Sequence, residues 1–310
     1  MPMNRRQFLQ TSTTLAAGLA FNTQNFEHKL IQKSFFEISL AEWSFHRALS
    51  AKKMANLDFP IIAKKQFDIS IVEYVNQFFK DKANDTTYLS ELLKRCHDNG
   101  VKNHLIMIDG EGGLGETDKA KRNQAVENHY KWVDAAKYLG CASIRVNAYG
   151  VGDREEVQKS AIEGLSKLGE YGEKENINII VENHGGYSSD GQWISTVMKK
   201  ISKKNVGTLP DFGNFCIKRN TGDSTQPACL EEYDRYKGVK EMLPFAKGVS
   251  AKTHDFDETG NCIETDYVKM MKIVKESGFK GYVGIEYEGN KLSEDEGIRK
   301  TKELLLRFMA

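Results

Sequence analysis

No CxxC pair occurs among the five cysteines of this chain of 310 residues. Cys96, Cys141, Cys216, Cys229 and Cys262 are widely spaced, so neither a zinc ribbon nor a thiol–disulfide redox motif is expected. The count is odd, which leaves at least one thiol unpaired within a monomer, and Cys141, set in an apolar stretch, reads as a small core residue. Net charge is almost absent as well. The 44 basic and 43 acidic residues leave +1, so the basic face of a nucleic-acid or membrane-surface binder is missing. The pairs Lys199-Lys200 and Lys203-Lys204 read as a solvated helix face. No GxGxxG follows the first apolar run, which leaves a dinucleotide-binding sheet without support. The glycine-rich stretch Gly110–Gly115 lacks the Lys-Ser/Thr of a phosphate-binding loop and reads as a loop at a strand end. After residue 34 there is no composition break, short-period repeat or low-complexity tract.

What is present divides the chain in two. Asn4-Arg5-Arg6-Gln7-Phe8-Leu9-Gln10 sets two arginines before an apolar pair, and Thr11 to Phe21 then runs without a charge. This basic-then-apolar order resembles a twin-arginine export signal, and its apolar part is too short to span a hydrocarbon core of ~30 Å. Residues 1–33 are therefore expected to be an export signal and polar linker, the alternative being an ordinary basic, disordered terminus. On this reading the protein is exported, to the periplasm, with no stable membrane insertion after signal removal.

Residues 34–310 alternate β-branched runs with longer amphipathic segments, the pattern of repeated βα units around a parallel sheet. Eight strands are predicted: Phe36–Leu40, Ile69–Tyr74, Lys102–Ile108, Ser143–Asn147, Ile177–Val181, Val206–Pro210, Gly248–Lys252 and Tyr282–Glu286. Helices are predicted at Tyr88–Asn99, Ala125–Leu139, Val157–Tyr171, Ile194–Ile201, Tyr267–Ser277 and Asp295–Met309, several of them stopped by glycine. The predicted fold is a single (β/α)8 TIM barrel, with a doubly wound open sheet as the alternative.

In such barrels the active site gathers at the C-terminal ends of the strands. The last four predicted strands each end in polar residues. Ile179-Ile180-Val181 runs into Glu182, Gly207-Thr208-Leu209-Pro210 into Asp211, Val249-Ser250-Ala251 into Lys252-Thr253-His254, and Val283-Gly284-Ile285 into Glu286. Three carboxylates and an imidazole converging at one barrel mouth would raise one another's pKa and oppose folding. One divalent metal ion resolves the conflict; three oxygens and one nitrogen suit Mn²⁺, Mg²⁺ or Co²⁺ best, with Zn²⁺ or Fe²⁺ also compatible. The alternative is that each acid pairs with a lysine or arginine at the rim.

Glu182, Asp211, His254 and Glu286 resemble the Glu–Asp–His–Glu metal set of the xylose-isomerase-like barrels. That superfamily includes sugar-phosphate isomerases/epimerases, ketose 3-epimerases, inosose dehydratases and endonuclease IV. The resemblance runs over residues ~34–310 by strand order. It is most specific in Ile180–Gly186, Asp211–Phe215, Lys252–Phe256 and Gly284–Gly289. It implies that Glu182 and Glu286 are also catalytic, shuttling a proton through a metal-stabilised enediolate of a sugar. Asn214 stands where many members carry histidine, a departure that argues against the 3-epimerase reaction in particular.

Further residues are candidates for substrate binding. His184 would line the pocket, or bond a carbonyl at the rim. Lys252 would stabilise an oxyanion, or form a plain salt bridge. Arg145 and Asn147, two apart on the fourth strand, would face the interior and contact substrate, as would Glu73 on the second strand; the alternative is that Arg145 and Glu73 pair with each other. Trp43 and His46 after the first strand would give an apolar wall and a polar contact. The leading expectation is a metal-dependent sugar isomerase or epimerase acting on a small-molecule sugar or keto-sugar. A 3-keto-glycoside lyase or hydratase using the same metal site follows closely, and a non-catalytic sugar-binding barrel is the reading from another class. A nuclease needs more histidines than the seven in this chain, so nucleic acid is not an expected partner. A homo-oligomer is compatible with all of these.

Overall fold

The computed structural model describes residues 34–220 and 228–309. The expected signal and linker, residues 1–33, lie outside the described residues. Eight parallel strands form the barrel: β1 (Phe36–Ala41), β2 (Ile71–Val75), β3 (Lys102–Met107), β4 (Ser143–Val146), β5 (Asn178–Glu182), β6 (Val206–Leu209), β9 (Val249–Thr253) and β10 (Gly281–Tyr287). Two more strands, β7 (Cys216–Arg219) and β8 (Cys229–Glu232), pair as a separate antiparallel hairpin. The ladder runs β6-β5-β4-β3-β2-β1-β10-β9. It closes between β9 and β6 through the bridges Thr208↔Ala246 and Asp211↔Ser250, with Ser250 N donating to Pro210 O at 2.9 Å and Phe212 N to Ser250 O at 3.1 Å.

Each barrel strand is followed by a helix: α1 (Phe59–Phe67), α2 (Thr86–Asp98), α3 (Lys119–Leu139), α4 (Arg154–Glu175), α5 (Gly191–Ile201), α6 (Arg235–Met242), α7 (Tyr267–Glu276) and α8 (Glu294–Leu306). Their starts are written locally. Asp85, Asp118, Asp153, Asp190, Asp234, Asp266 and Ser293 each accept a first-turn backbone N–H, which satisfies donors that a helix start leaves open. All eight predicted strands are present, with ends shifted by a residue or two. Helices α1 and α6 and the β7–β8 hairpin were not foreseen. They are short or carry few apolar residues, so their periodicity is weak.

The main core lies between the strands and the helix ring, around Trp132, Trp193, Tyr74 and Phe59. A smaller cluster of Ala41, Val75, Leu105, Met107, Ile180 and Leu209 fills the barrel interior. Because strand side chains alternate, the inward set then includes Ser39, Glu73, Arg145, Glu182, Ser250, Lys252 and Glu286, all buried. The interior is therefore apolar on one side and strongly charged toward the C-terminal ends of β4, β5, β9 and β10. The hairpin carries the disulfide Cys216–Cys229, and Cys96, Cys141 and Cys262 are free and buried. No helix among the described residues is long and apolar enough to cross a membrane.

Candidate active site

Glu182 ends β5, Asp211 follows β6, and Glu286 lies near the end of β10. One carboxylate oxygen from each lies within 4.8 Å of the others, and all three side chains are buried. Each is held in place. Asn214 Nδ2 donates to Glu182 Oε1 at 3.0 Å, and Arg145 Nε lies 2.9 Å from Glu182 Oε2 without the alignment of a hydrogen bond. Asp211 Oδ1 accepts the backbone N–H of Gly213 and of Asn214, both at 2.8 Å. Asn183 clamps the same turn, accepting from Asp211 N at 2.7 Å and donating to Asp211 O at 3.0 Å.

Ser250 Oγ lies 2.7 Å from Asp211 Oδ2 and 2.9 Å from Glu286 Oε2. One hydroxyl carries one proton, so it cannot donate fully to both carboxylates. Lys252 sits beside it: Nζ is 3.2 Å from Glu286 Oε1, 3.2 Å from Glu288 Oε1 and 3.8 Å from Asp211 Oδ2. Burial pushes Glu182 and Glu286 up to about 7 and Asp211 up to about 6, against the pull of Arg145 on the first and Lys252 on the other two. Burial alone would lower Lys252, but Asp211, Glu286 and Glu288 outweigh it and hold its ammonium well above the usual lysine range.

The three carboxylates face two buried cations, Arg145 and Lys252. Three carboxylates converging within 4.8 Å of one another fit a divalent cation. The model of the xylose isomerase-like TIM barrel family matches residues 64–308. The chain belongs to that family.

Solved structures with the same fold include the IolI protein with a bound zinc atom, at 15% identity and a TM-score of 0.66, covering 88% of this chain and 98% of that one. A sugar phosphate isomerase/epimerase from Parabacteroides distasonis is 17% identical with a TM-score of 0.65, covering 88% and 95%. An L-ribulose 3-epimerase is 12% identical with a TM-score of 0.67, covering 88% and 94%. No curated protein matches the chain.

Within this xylose isomerase-like barrel, three of the four expected ligands come together and the fourth does not. His254 stands outside the group of ligand atoms, half-buried, with Glu288 as its charged neighbour. The reason is register. Strand β9 ends at Thr253, and its inward positions beside Gly284 and Glu286 of β10 are Ser250 and Lys252. His254 comes after the strand has ended.

The alternative pairing of Arg145 with Glu73 is not found. Arg145 donates to Asp109 Oδ1 at 2.7 Å and Oδ2 at 3.3 Å, and holds that carboxyl well below its usual range against the effect of burial. Asn147 Nδ2 donates to the same Asp109 Oδ1 at 2.8 Å. Glu73 instead accepts from Ser39 Oγ at 2.6 Å, and burial pushes it up to about 8, so it is neutral near pH 7. Its Oε2 has no hydrogen-bond partner among the described residues.

Trp43 lies partly against the interior apolar cluster and stacks on His46 at 5.1 Å between centroids; its Nε1 donates to Glu288 Oε1 at 2.7 Å. His46 Nδ1 lies 2.9 Å from Trp43 O, so it braces the tryptophan. His184 is exposed at the rim, its backbone N–H donating to Ser188 Oγ. Sequence reasoning missed Asp109, Ser250 and Glu288. Asp109 follows the apolar run Leu105–Ile108 just as Glu182 follows Ile179–Val181, so the same strand-end rule reaches it. Ser250 was legible only through the alternation of β9.

Proposed function

We propose that this chain is a divalent-metal-dependent sugar isomerase or epimerase, moving a proton at a carbon next to a carbonyl. The observation that carries the reading is the convergence of Glu182, Asp211 and Glu286, buried and oriented, at the C-terminal mouth of the barrel. Similarity in fold to structures named as sugar isomerases and epimerases supports it. A divalent ion held by the three carboxylates, Mn²⁺ first, would supply Lewis-acid polarisation of a substrate carbonyl and its neighbouring hydroxyl.

The chain's own residues do the rest. Glu182 and Glu286 come from β5 and β10, which have β6 and β9 between them, so they address the substrate from different sides. One removes the proton and the other returns it. Asn214 and Arg145 fix the first carboxylate and Ser250 the second, which keeps each aimed. Arg145 and Lys252 also offset negative charge that develops on substrate oxygen. Trp43 gives an apolar wall for a sugar ring, and His184 at the rim is placed to meet its hydroxyls. With no phosphate-binding loop in the sequence, the substrate class is a free sugar or keto-sugar. We place the protein outside the cytoplasm; the disulfide Cys216–Cys229 supports this, since such bonds persist in oxidising compartments.

The test is proton exchange. The protein with Mn²⁺ is incubated in D₂O with free ketoses, aldoses and 3-keto-glycosides and followed by NMR, with Glu182→Gln as control. Deuterium at a carbon beside the carbonyl, lost by about 10²-fold or more in Glu182→Gln, is the expected result. An eliminated product in place of an epimer assigns the lyase reaction to the same site. Absence of exchange on every substrate, with Mn²⁺ bound, overturns the catalytic reading in favour of a sugar-binding barrel.

A further inference from the structure

Lys252 is buried more deeply than an oxyanion contact requires, with 3% of its side chain exposed. Its ammonium stands between Glu286 and Glu288 and faces Asp211. Lys252 thus stands beside two of the three converging acids, as Arg145 stands beside the third. The place is built for it. A Cβ at Gly213 would lie 3.0 Å from Lys252 Cδ and 3.2 Å from Cγ, closer than ordinary side-chain contacts, so the bare backbone at Gly213 is what lets the lysine stem pass beside Asp211. Ser250, one inward position earlier on β9, ties together the same two acids that Lys252 faces.

An ammonium and a divalent ion cannot share this space. Like charges a few ångströms apart and out of water repel strongly. Either the ion is excluded or the ammonium moves. Glu288 gives it somewhere to go. That carboxylate already contacts Lys252, is anchored by Trp43 Nε1, and is not one of the three converging acids.

We propose that Lys252 is an internal competitor for the cation position. Without metal its ammonium compensates Asp211 and Glu286, and a divalent ion binds only by shifting it onto Glu288. The proposal rests on the reading of the three acids as a cation site. It means that the wild-type fold does not depend on metal and that the chain itself limits metal affinity.

The test compares the full chain with Lys252→Met. Free Mn²⁺ is titrated by electron paramagnetic resonance, and thermal melts are run in EDTA and in excess Mn²⁺. Lys252→Met is expected to bind Mn²⁺ at least tenfold more tightly than wild type. It should melt lower than wild type in EDTA and recover with Mn²⁺, while the wild-type melt moves much less. Asp211→Asn in the Lys252→Met background should abolish the binding, which assigns it to this site. Equal or weaker Mn²⁺ binding by folded Lys252→Met overturns the competition and leaves the cation site standing. Folded wild type and Lys252→Met that both fail to bind Mn²⁺ remove the cation site and the competition together. If Lys252→Met does not fold, Lys252→Gln, which keeps a hydrogen-bonding end for Glu288, is held to the same tenfold expectation.

Discussion

Glu42, in the turn after β1, gives a sharp test of how this barrel tolerates buried acids. Its side chain is fully buried, accepts from Asn56 Nδ2 at 2.8 Å and Val75 N at 2.9 Å, and has no cationic partner among the described residues. Burial pushes its pKa from 4.5 to about 8. The folded state therefore keeps a proton that the unfolded chain releases above pH 4.5. Folding stability must fall as pH rises from about 4.5 to 8, by at most about 1.4 kcal/mol per pH unit from this residue and roughly 4–5 kcal/mol over the window. Glu42→Gln removes that slope at a cost. A protonated carboxyl still accepts on both oxygens, whereas an amide turns its NH₂ toward one of two donors, which costs about 1–3 kcal/mol. The variant should be less stable than wild type at pH 4–5 and more stable at pH 8, with the curves crossing between about pH 5 and 7. Urea unfolding at unit pH steps measures this. Parallel curves, with a constant offset across the range, would refute the reasoning, because they would mean that Glu42 titrates alike in both states.

Three further outcomes are expected. Asn183→Ala loses the clamp on the Asp211 turn and leaves buried backbone groups unpaired; the urea midpoint should fall by the equivalent of about 1–3 kcal/mol with no change in slope. Gly297→Ala would drive a Cβ into the Tyr287 ring across the α8–β10 contact, and overpacking there should cost about 1–3 kcal/mol, read from the same midpoint. Reducing the Cys216–Cys229 bond, which closes a loop across 13 positions, should lower stability by about 3 kcal/mol, and a melt unchanged by reductant would show that the hairpin unfolds apart from the barrel.

The barrel was legible in the sequence because each βα unit is a local pattern. Runs such as Ile179–Val181 and Val283–Ile285 are β-branched and short, the intervening helices are amphipathic, and aspartates stand at helix starts. The carboxylates were legible for the same reason: Glu182, Asp211 and Glu286 each interrupt or end an apolar strand where the fold places its site. The partners of those acids depended on neighbours distant in the chain. Whether Arg145 meets Glu73 or Asp109 follows from the relative heights of β2, β3 and β4. Whether His254 or Ser250 faces Glu286 follows from a register between β9 and β10 that no local pattern states. A shift of one residue along a strand turns a side chain from the interior to the helix layer. Local sequence was enough for the eight barrel strands, most of the helices and the charged end of the barrel, since hydrophobic period and helix caps act over a few residues. Only the tertiary structure decided that Lys252, and not His254, reaches the acids, because that rests on strand register and on the space left open at Gly213.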